Sequence, residues 1–223
     1  AFMDTFSHNK VFSSIDHYGR YAYQNQPRIL FWNLQSLANC LAPMVEGTDE
    51  KRKKTFNQLF EELQSHYHEM KLKELAKKFG IVDPCAVDSE LIESFLDFLE
   101  KHHLDFTQSF RILPDYLDSH PKENFFPENR EFDQFLNKWR ERVKGQREGK
   151  EPPIELMKSN NPSIIPRNHL VEKAISLCYQ GDDRFFHQFF KVLQNPFEDS
   201  DRIKEFTLPP KPSEIVHQTF CGT

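Results

Sequence analysis

Asp16-His17-Tyr18-Gly19-Arg20-Tyr21-Ala22-Tyr23-Gln24-Asn25-Gln26-Pro27 gathers three tyrosines, an arginine, an acid and a histidine around one glycine, with neither a helical nor a strand period. Gly19 can take backbone angles closed to other residues, and Pro27 ends the loop. Past the proline the period turns helical, through Ile29, Leu30, Trp32, Leu34, Leu37, Ala38 and Leu41. The expectation is a polar loop delivered onto a buried helix over residues 29–42, ended near Pro43. Such a loop is a binding or regulatory segment. The simpler reading of the same side chains is a structural loop, with its tyrosines packed and Arg20 paired.

Working outward, residues 1–28 carry no period and read as an extended loop. After the first helix the same helical spacing recurs. Thr48 can cap a helix carrying Phe56, Leu59, Phe60, Leu63, Tyr67 and Met70, which continues through Leu72, Leu75 and Phe79 to a stop at Gly80. Its charged face, with Glu50, Lys51, Arg52, Lys53, Lys54, Glu61 and Glu62, reads as solvated. Asp83-Pro84 opens a turn, and Asp88 or Ser89 can cap a helix with Leu91, Ile92, Phe95, Leu96, Phe98 and Leu99. Leu104, Phe106, Phe110, Leu113 and Leu117 form another pattern. The run breaks between His120-Pro121 and Pro127, then resumes over 130–144 with Phe132, Phe135, Leu136, Trp139 and Val143. Residues 145–153, charged and proline-bearing, read as an exposed loop open to proteolytic nicking. Two helices follow Pro166, one closed by Gly181 and the other by Pro196. The tail with Pro209, Pro210 and Pro212 is expected to be non-helical. No repeat and no strand emerges, so the fold class is mainly α. The division expected is 1–144 and 145–223.

Composition narrows the function classes. The 223 residues are 38% hydrophobic and 28% charged, which describes a globular protein on the polar side. Phenylalanines number 22 against 7 glycines, so aromatic rings should supply much of the core and a hairpin-rich fold is disfavoured. A net charge of −5, with no basic cluster interleaved with aromatics, gives nucleic-acid binding no support. No apolar run approaches the ~20 residues of a membrane span, and no signal peptide is evident. Cys40, Cys85, Cys178 and Cys221 form no Cys-x-x-Cys pair, so neither a zinc knuckle nor a dithiol site is indicated. Cys40 and Cys178 fall on apolar helical faces and read as small core residues, which suits a reducing compartment. Cys221, near the end of the chain, is the possible redox thiol. The opening at Ala1, in mid-phrase, suggests a fragment with an upstream part missing.

Other constellations carry little chemistry. The histidines of His66-x-His68 point about 200° apart on a helix and do not converge on one ion, and the adjacent His102-His103 does no better. Arg167 and Asn168 could bind an anion at a helix start, though tying that start to the preceding loop is the plainer role. No phosphate loop, nucleophile elbow or zinc-protease motif is present in the sequence.

Several segments, in order, resemble the selenoprotein O family of kinase-like protein adenylyltransferases. They are Phe2-Met3-Asp4-Thr5-Phe6, Asp16-His17 with Gly19-Arg20-Tyr21-Ala22-Tyr23, Gln26-Pro27 and Trp32-Asn33-Leu34 with Leu37-Ala38. Phe106-Thr107, Phe110-Arg111, Asn161-Pro162, Ile165-Pro166-Arg167-Asn168, Gly181-Asp182 and Asn195-Pro196-Phe197 continue the series. The resemblance implies the later part of a protein-kinase-like C-terminal lobe with a helical C-terminal extension. It makes Asp16, His17, Gly19, Arg20, Tyr21 and Tyr23 activation-segment-like, and the helix from Ile29 the central hydrophobic helix of the lobe. It also implies AMP transfer from ATP to protein Ser, Thr or Tyr hydroxyls, with Mg²⁺ or Mn²⁺, for the full-length parent.

The family's glycine-rich loop, nucleotide-binding lysine and arginines, catalytic Asp and metal-binding Asp all lie upstream of Phe2. No catalytic, cofactor or metal residue therefore maps onto this chain, and Asp4 resembles the family's next acidic residue rather than its metal ligand. Cys221 stands where the family has cysteine or selenocysteine. Residues 11–15, Val-Phe-Ser-Ser-Ile, offer it no thiol partner. The expected partners are the upstream kinase-like lobe and protein substrates, with no nucleic acid and no membrane. The expected location is intracellular: cytoplasmic if bacterial, mitochondrial if eukaryotic. The chain alone would be inactive; the alternative is a stand-alone helical interaction module or pseudoenzyme remnant.

Overall fold

A computed structural model describes residues 2–117, 121, 124–146 and 151–219. Among these, the regular structure is helical: α1 Gln26–Leu41, α2 Asp49–Lys78, α3 Ala86–Lys101, α4 Phe106–Ile112, α5 Arg130–Lys144, α6 Pro153–Asn160, α7 Asn168–Tyr179, α8 Arg184–Leu193 and α9 Lys204–Thr207. The one β-type pairing described is an isolated antiparallel bridge between Thr5 and Asp105.

Helix ends follow local chemistry. Thr48 Oγ1 accepts the Lys51 amide at 3.3 Å and starts α2. Asn129 Oδ1 accepts the Phe132 amide at 2.8 Å and starts α5. Gly80, at φ +71°, turns the chain after α2, where a Cβ would lie 2.9 Å from the Pro153 carbonyl oxygen at the start of α6. α3 begins earlier than its sequence suggests. Cys85 is the N-cap and Asp88 sits one turn in, where its carboxylate accepts the Cys85 amide at 2.8 Å. Asp88 is also held by Arg142 of α5 through bonds of 2.7 and 3.0 Å, so a residue expected to be the N-cap serves the capping box from N3 and clamps two helices. Burial opposes the Asp88 charge, yet the Arg142 hydrogen bond, the Cys85 amide and the Arg142 charge together outweigh it and keep the carboxyl below its usual range.

Phenylalanine builds the larger core. All six apolar residues expected on α3 and all five expected on α5 are buried. Phe79 meets Phe95 and Phe110 edge-on at 5.4 and 5.1 Å, and Phe95 stacks on Phe135 at 4.8 Å. Trp139 closes the stack and donates its indole N–H to the Phe79 carbonyl at 2.8 Å. Full burial of each such ring is worth about 1.5–3 kcal/mol, which is how a glycine-poor chain with a modest apolar fraction holds together. A second cluster, with Ile164, Leu170, Phe189, Ile203 and Phe206, forms where α7, α8 and α9 meet.

Several expectations need correction. α1 is not a buried helix: none of its residues is buried, and Leu30, Trp32, Leu37 and Leu41 are exposed. Periodicity reports an apolar face but not what covers it, and among the described residues the one ring–ring contact onto α1 from elsewhere is Tyr67 of α2 against Phe31, at 5.3 Å. The N-terminal part of α2, through Met70, is likewise uncovered, with Leu59, Leu63 and Met70 exposed. Cys40 and Cys178 are exposed for the same reason and are not core residues. α1 begins at Gln26, ahead of Pro27, which takes the first-turn position that suits its missing N–H. α6 was not anticipated. The tail does hold one short 3₁₀ turn, Pro212–Glu214. In the loop expected over 145–153, residues 147–150 lie outside the described residues, as does Cys221.

Candidate functional site

The loop of residues 11–25 is shaped by backbone demands. Both Asp16 carboxylate oxygens accept amides, from Arg20 and Tyr21, each at 2.8 Å. Gly19 takes φ +63°, and its carbonyl receives the Asn25 side-chain amide at 2.8 Å. The loop is anchored beneath by Tyr23 N–H to the Lys10 carbonyl at 3.0 Å and Gln24 N–H to the His8 carbonyl at 2.9 Å. Tyr23 packs edge-on against Phe6, and burial, then the charge of Glu93, pushes its phenol above the usual range.

The other residues that the resemblance makes activation-segment-like do not converge. His17 is exposed and Tyr21 is half exposed; Tyr18 between them, which was not among those residues, is 98% exposed. Arg20 has no ion pair among the described residues; its guanidinium lies 4.6 Å from the Trp32 ring centroid. The structural reading of the loop therefore holds for Asp16, Gly19 and Tyr23. The expected pairing of Arg20 is replaced by stacking on an exposed tryptophan. The C-terminal tail reaches the same loop: Ser14 N–H donates to the Thr219 carbonyl at 2.7 Å, and Thr219 Oγ1 donates to the Phe12 carbonyl at 2.9 Å.

Beneath the loop lies an ion-pair hub that the sequence concealed. Arg167 is fully buried. It donates to both Asp105 oxygens, at 2.7 and 3.0 Å, to Asp4, and to the Thr207 carbonyl at 3.2 Å. Burial opposes its charge, but the Asp105 and Asp4 contacts override this and raise its pKa above the ordinary arginine value. Asp105 also caps α4 by accepting the Gln108 amide at 2.8 Å. Asp4 is set opposite by Phe106 N–H to the Asp4 carbonyl, at 2.8 Å. Arg167 is thus a structural tie between chain start, α4 and α9, not an open anion site. Arg111 does similar service, donating to the Lys158, Asn161 and Phe197 carbonyls at 3.1, 2.9 and 3.2 Å and pairing with Asp199.

Among the described residues no three His, Cys, Asp or Glu are grouped to hold a metal ion. His102 contacts Asn129 at 3.2 Å, and His103 occupies a left-handed turn at φ +53°. No helix of the described residues is long and apolar enough to cross a membrane.

These features define a class first: a helical scaffold that ties down an N-terminal loop by buried ion pairs and by its own C-terminal tail. Residues 1–195 match the family model described as protein adenylyltransferase SelO. The chain is 36% identical over 224 residues to the protein nucleotidyltransferase YdiU of Nitrosococcus oceani. It is 38% identical over 230 residues to that of Maridesulfovibrio salexigens and 40% over 225 to that of Alkaliphilus metalliredigens. Each match takes in 100% of this chain and 45–46% of the relative. The chain belongs to the SelO family, and it spans less than half the length of these curated relatives.

Proposed function

We propose that this chain is the C-terminal portion of a SelO-type protein adenylyltransferase, which moves AMP from ATP to protein hydroxyls, and that its part is to hold the activation-segment-like loop for a kinase-like upstream portion. In this reading residues 1–144 are the loop and the later C-lobe, and 145–223 the helical extension. The observation that carries it is α1. Three large apolar side chains, Leu30, Leu37 and Leu41, stand exposed along one face of the helix directly after the tied loop, with Trp32 on the opposite side against Arg20. Such a stripe is characteristic of an interface, here one for the missing half of the relatives' length.

The described residues do not fit a nucleotide–metal site. Asp4, the acid nearest the family's metal position, is committed to Arg167, and Arg167 is committed to two carboxylates. No chemical step is therefore assigned to this chain. ATP and Mg²⁺ or Mn²⁺ belong to the longer protein.

The rival reading, a stand-alone interaction module, draws on a second uncovered surface. Ile175, Tyr179, Phe186 and Phe190 line a groove of about 590 Å³ between α7 and α8. Incubation with ATP labelled on the α-phosphate separates the two. The chain alone should incorporate no label. A fusion carrying the upstream portion of the Alkaliphilus relative should label itself or added protein. Robust AMP transfer by the 223-residue chain alone would overturn the reading.

A further inference from the structure

Lys78, the last residue of α2, departs from the habit of its neighbours. Lys73 and Lys77 pair with Glu69 and Glu74 on the exposed face, at 2.6 and 2.5 Å. Lys78 instead turns inward over two rings, its Nζ 4.6 Å from the Phe110 centroid and 5.6 Å from that of Phe106. Its one described hydrogen bond is a long one, 3.4 Å to the Asn160 carbonyl. Among the described residues it has no ion pair. Asn161 fixes the end of the helix below it, donating to the Lys78 carbonyl at 2.9 Å.

The ammonium faces a cleft of about 510 Å³ whose far walls include Met3, Phe12, Tyr21 and Ile165. The remaining polar groups of the lining, on Tyr21, Tyr23, Gln26, Thr107 and Asn161, are uncharged. Volume and character match a small-molecule site: mostly apolar, with one charged group to orient what enters.

We propose that this cleft binds a small apolar-bodied monocarboxylate, with Lys78 as its counter-charge and Phe106 and Phe110 as its walls. One cation favours one negative charge. A phosphate dianion would need a second cation, and Lys78 is the one cationic side chain in this lining. The cation–π contacts hold the ammonium at the wall but leave it unneutralised. Burial accordingly pushes the Lys78 amine down to about 8, as expected for a cation that neither water nor an anion solvates fully.

Octanoate and octanol, which share a body and differ in charge, are the probes, titrated calorimetrically into the 223-residue chain. Octanoate should bind at one equivalent and about tenfold tighter than octanol, the factor expected of one charge-assisted contact. Lys78→Met should erase that preference. Should Lys78→Met fail to fold, reductive methylation of the wild-type chain, read by peptide mass spectrometry, decides: octanoate should slow labelling of Lys78 and leave exposed Lys51 unchanged. Equal affinity for the two probes, no saturable octanoate binding, a preference that survives Lys78→Met, or unchanged Lys78 labelling would each overturn the proposal.

Discussion

Replacing Arg167 with methionine tests how much of the scaffold hangs on the buried hub. The substitution roughly keeps the side chain's length but removes two hydrogen bonds to Asp105, one to Asp4 and one to the Thr207 carbonyl. Asp105 is itself buried, so its carboxylate would be left without a counter-charge away from water. Breaking a buried pair by removing one partner costs about 3–5 kcal/mol, and two stranded acids place this case toward the upper end. For a chain of this size that corresponds to a melting shift of roughly 6–20 °C. Urea unfolding followed by circular dichroism at 222 nm gives the midpoint and slope. Adding Asp105→Asn to Arg167→Met should recover part of the loss, because the second change removes the stranded charge. A loss under about 1 kcal/mol for Arg167→Met, or strict additivity in the double variant, would refute the hub.

Arg20→Ala removes only a stacking contact of about 0.5–1 kcal/mol, since Asp16 still holds the loop's amides. Amide exchange over residues 16–23 should quicken several-fold with the global urea midpoint unchanged; a global loss above about 2 kcal/mol would show that Arg20 is anchored elsewhere. Gly80→Ala should destabilise by about 1–3 kcal/mol, from the positive φ and the approach to Pro153, and thermal unfolding will show it. Lys78 sets a pH dependence. Its folded pKa of about 8 lies below the ordinary 10.5, so between those values the unfolded chain binds a proton that the native chain lacks. Wild-type stability relative to Lys78→Met should therefore be flat below pH 8 and rise from pH 8 to about 10.5. Urea midpoints at pH 7, 9 and 10.5 test the sign, and a falling difference would contradict it.

α3 and α5 were legible because their apolar spacing is also their burial: Leu91 through Leu99 and Phe132 through Val143 face one another in the finished core. Thr48 and Gly80 were legible because caps and left-handed stops are local chemistry. α1 was misread because its stripe has the same period whether or not a partner covers it. Cys40 and Cys178 were misplaced with the faces that carry them. α6 left one usable signal, a proline at its first position, on a helix of only 8 residues. The hub was out of reach: Arg167 meets Asp105 across 62 positions and Asp4 across 163, separations that no local pattern encodes. Asp88 looked like a cap because nothing nearby announced Arg142. Lys78 sits beside Phe79 with no mark in the sequence that it would turn inward.

The central claim is that α1 presents an interface to an upstream portion of a longer SelO-family protein. Hydrogen exchange across residues 26–41, compared between the 223-residue chain and its fusion to the upstream portion of the Alkaliphilus relative, tests it most directly. Covering the face that carries Leu30, Leu37 and Leu41 should slow exchange along α1 by at least tenfold in the fusion, while α5, already buried in both, stays unchanged. Equal exchange of α1 in the two proteins would contradict the claim.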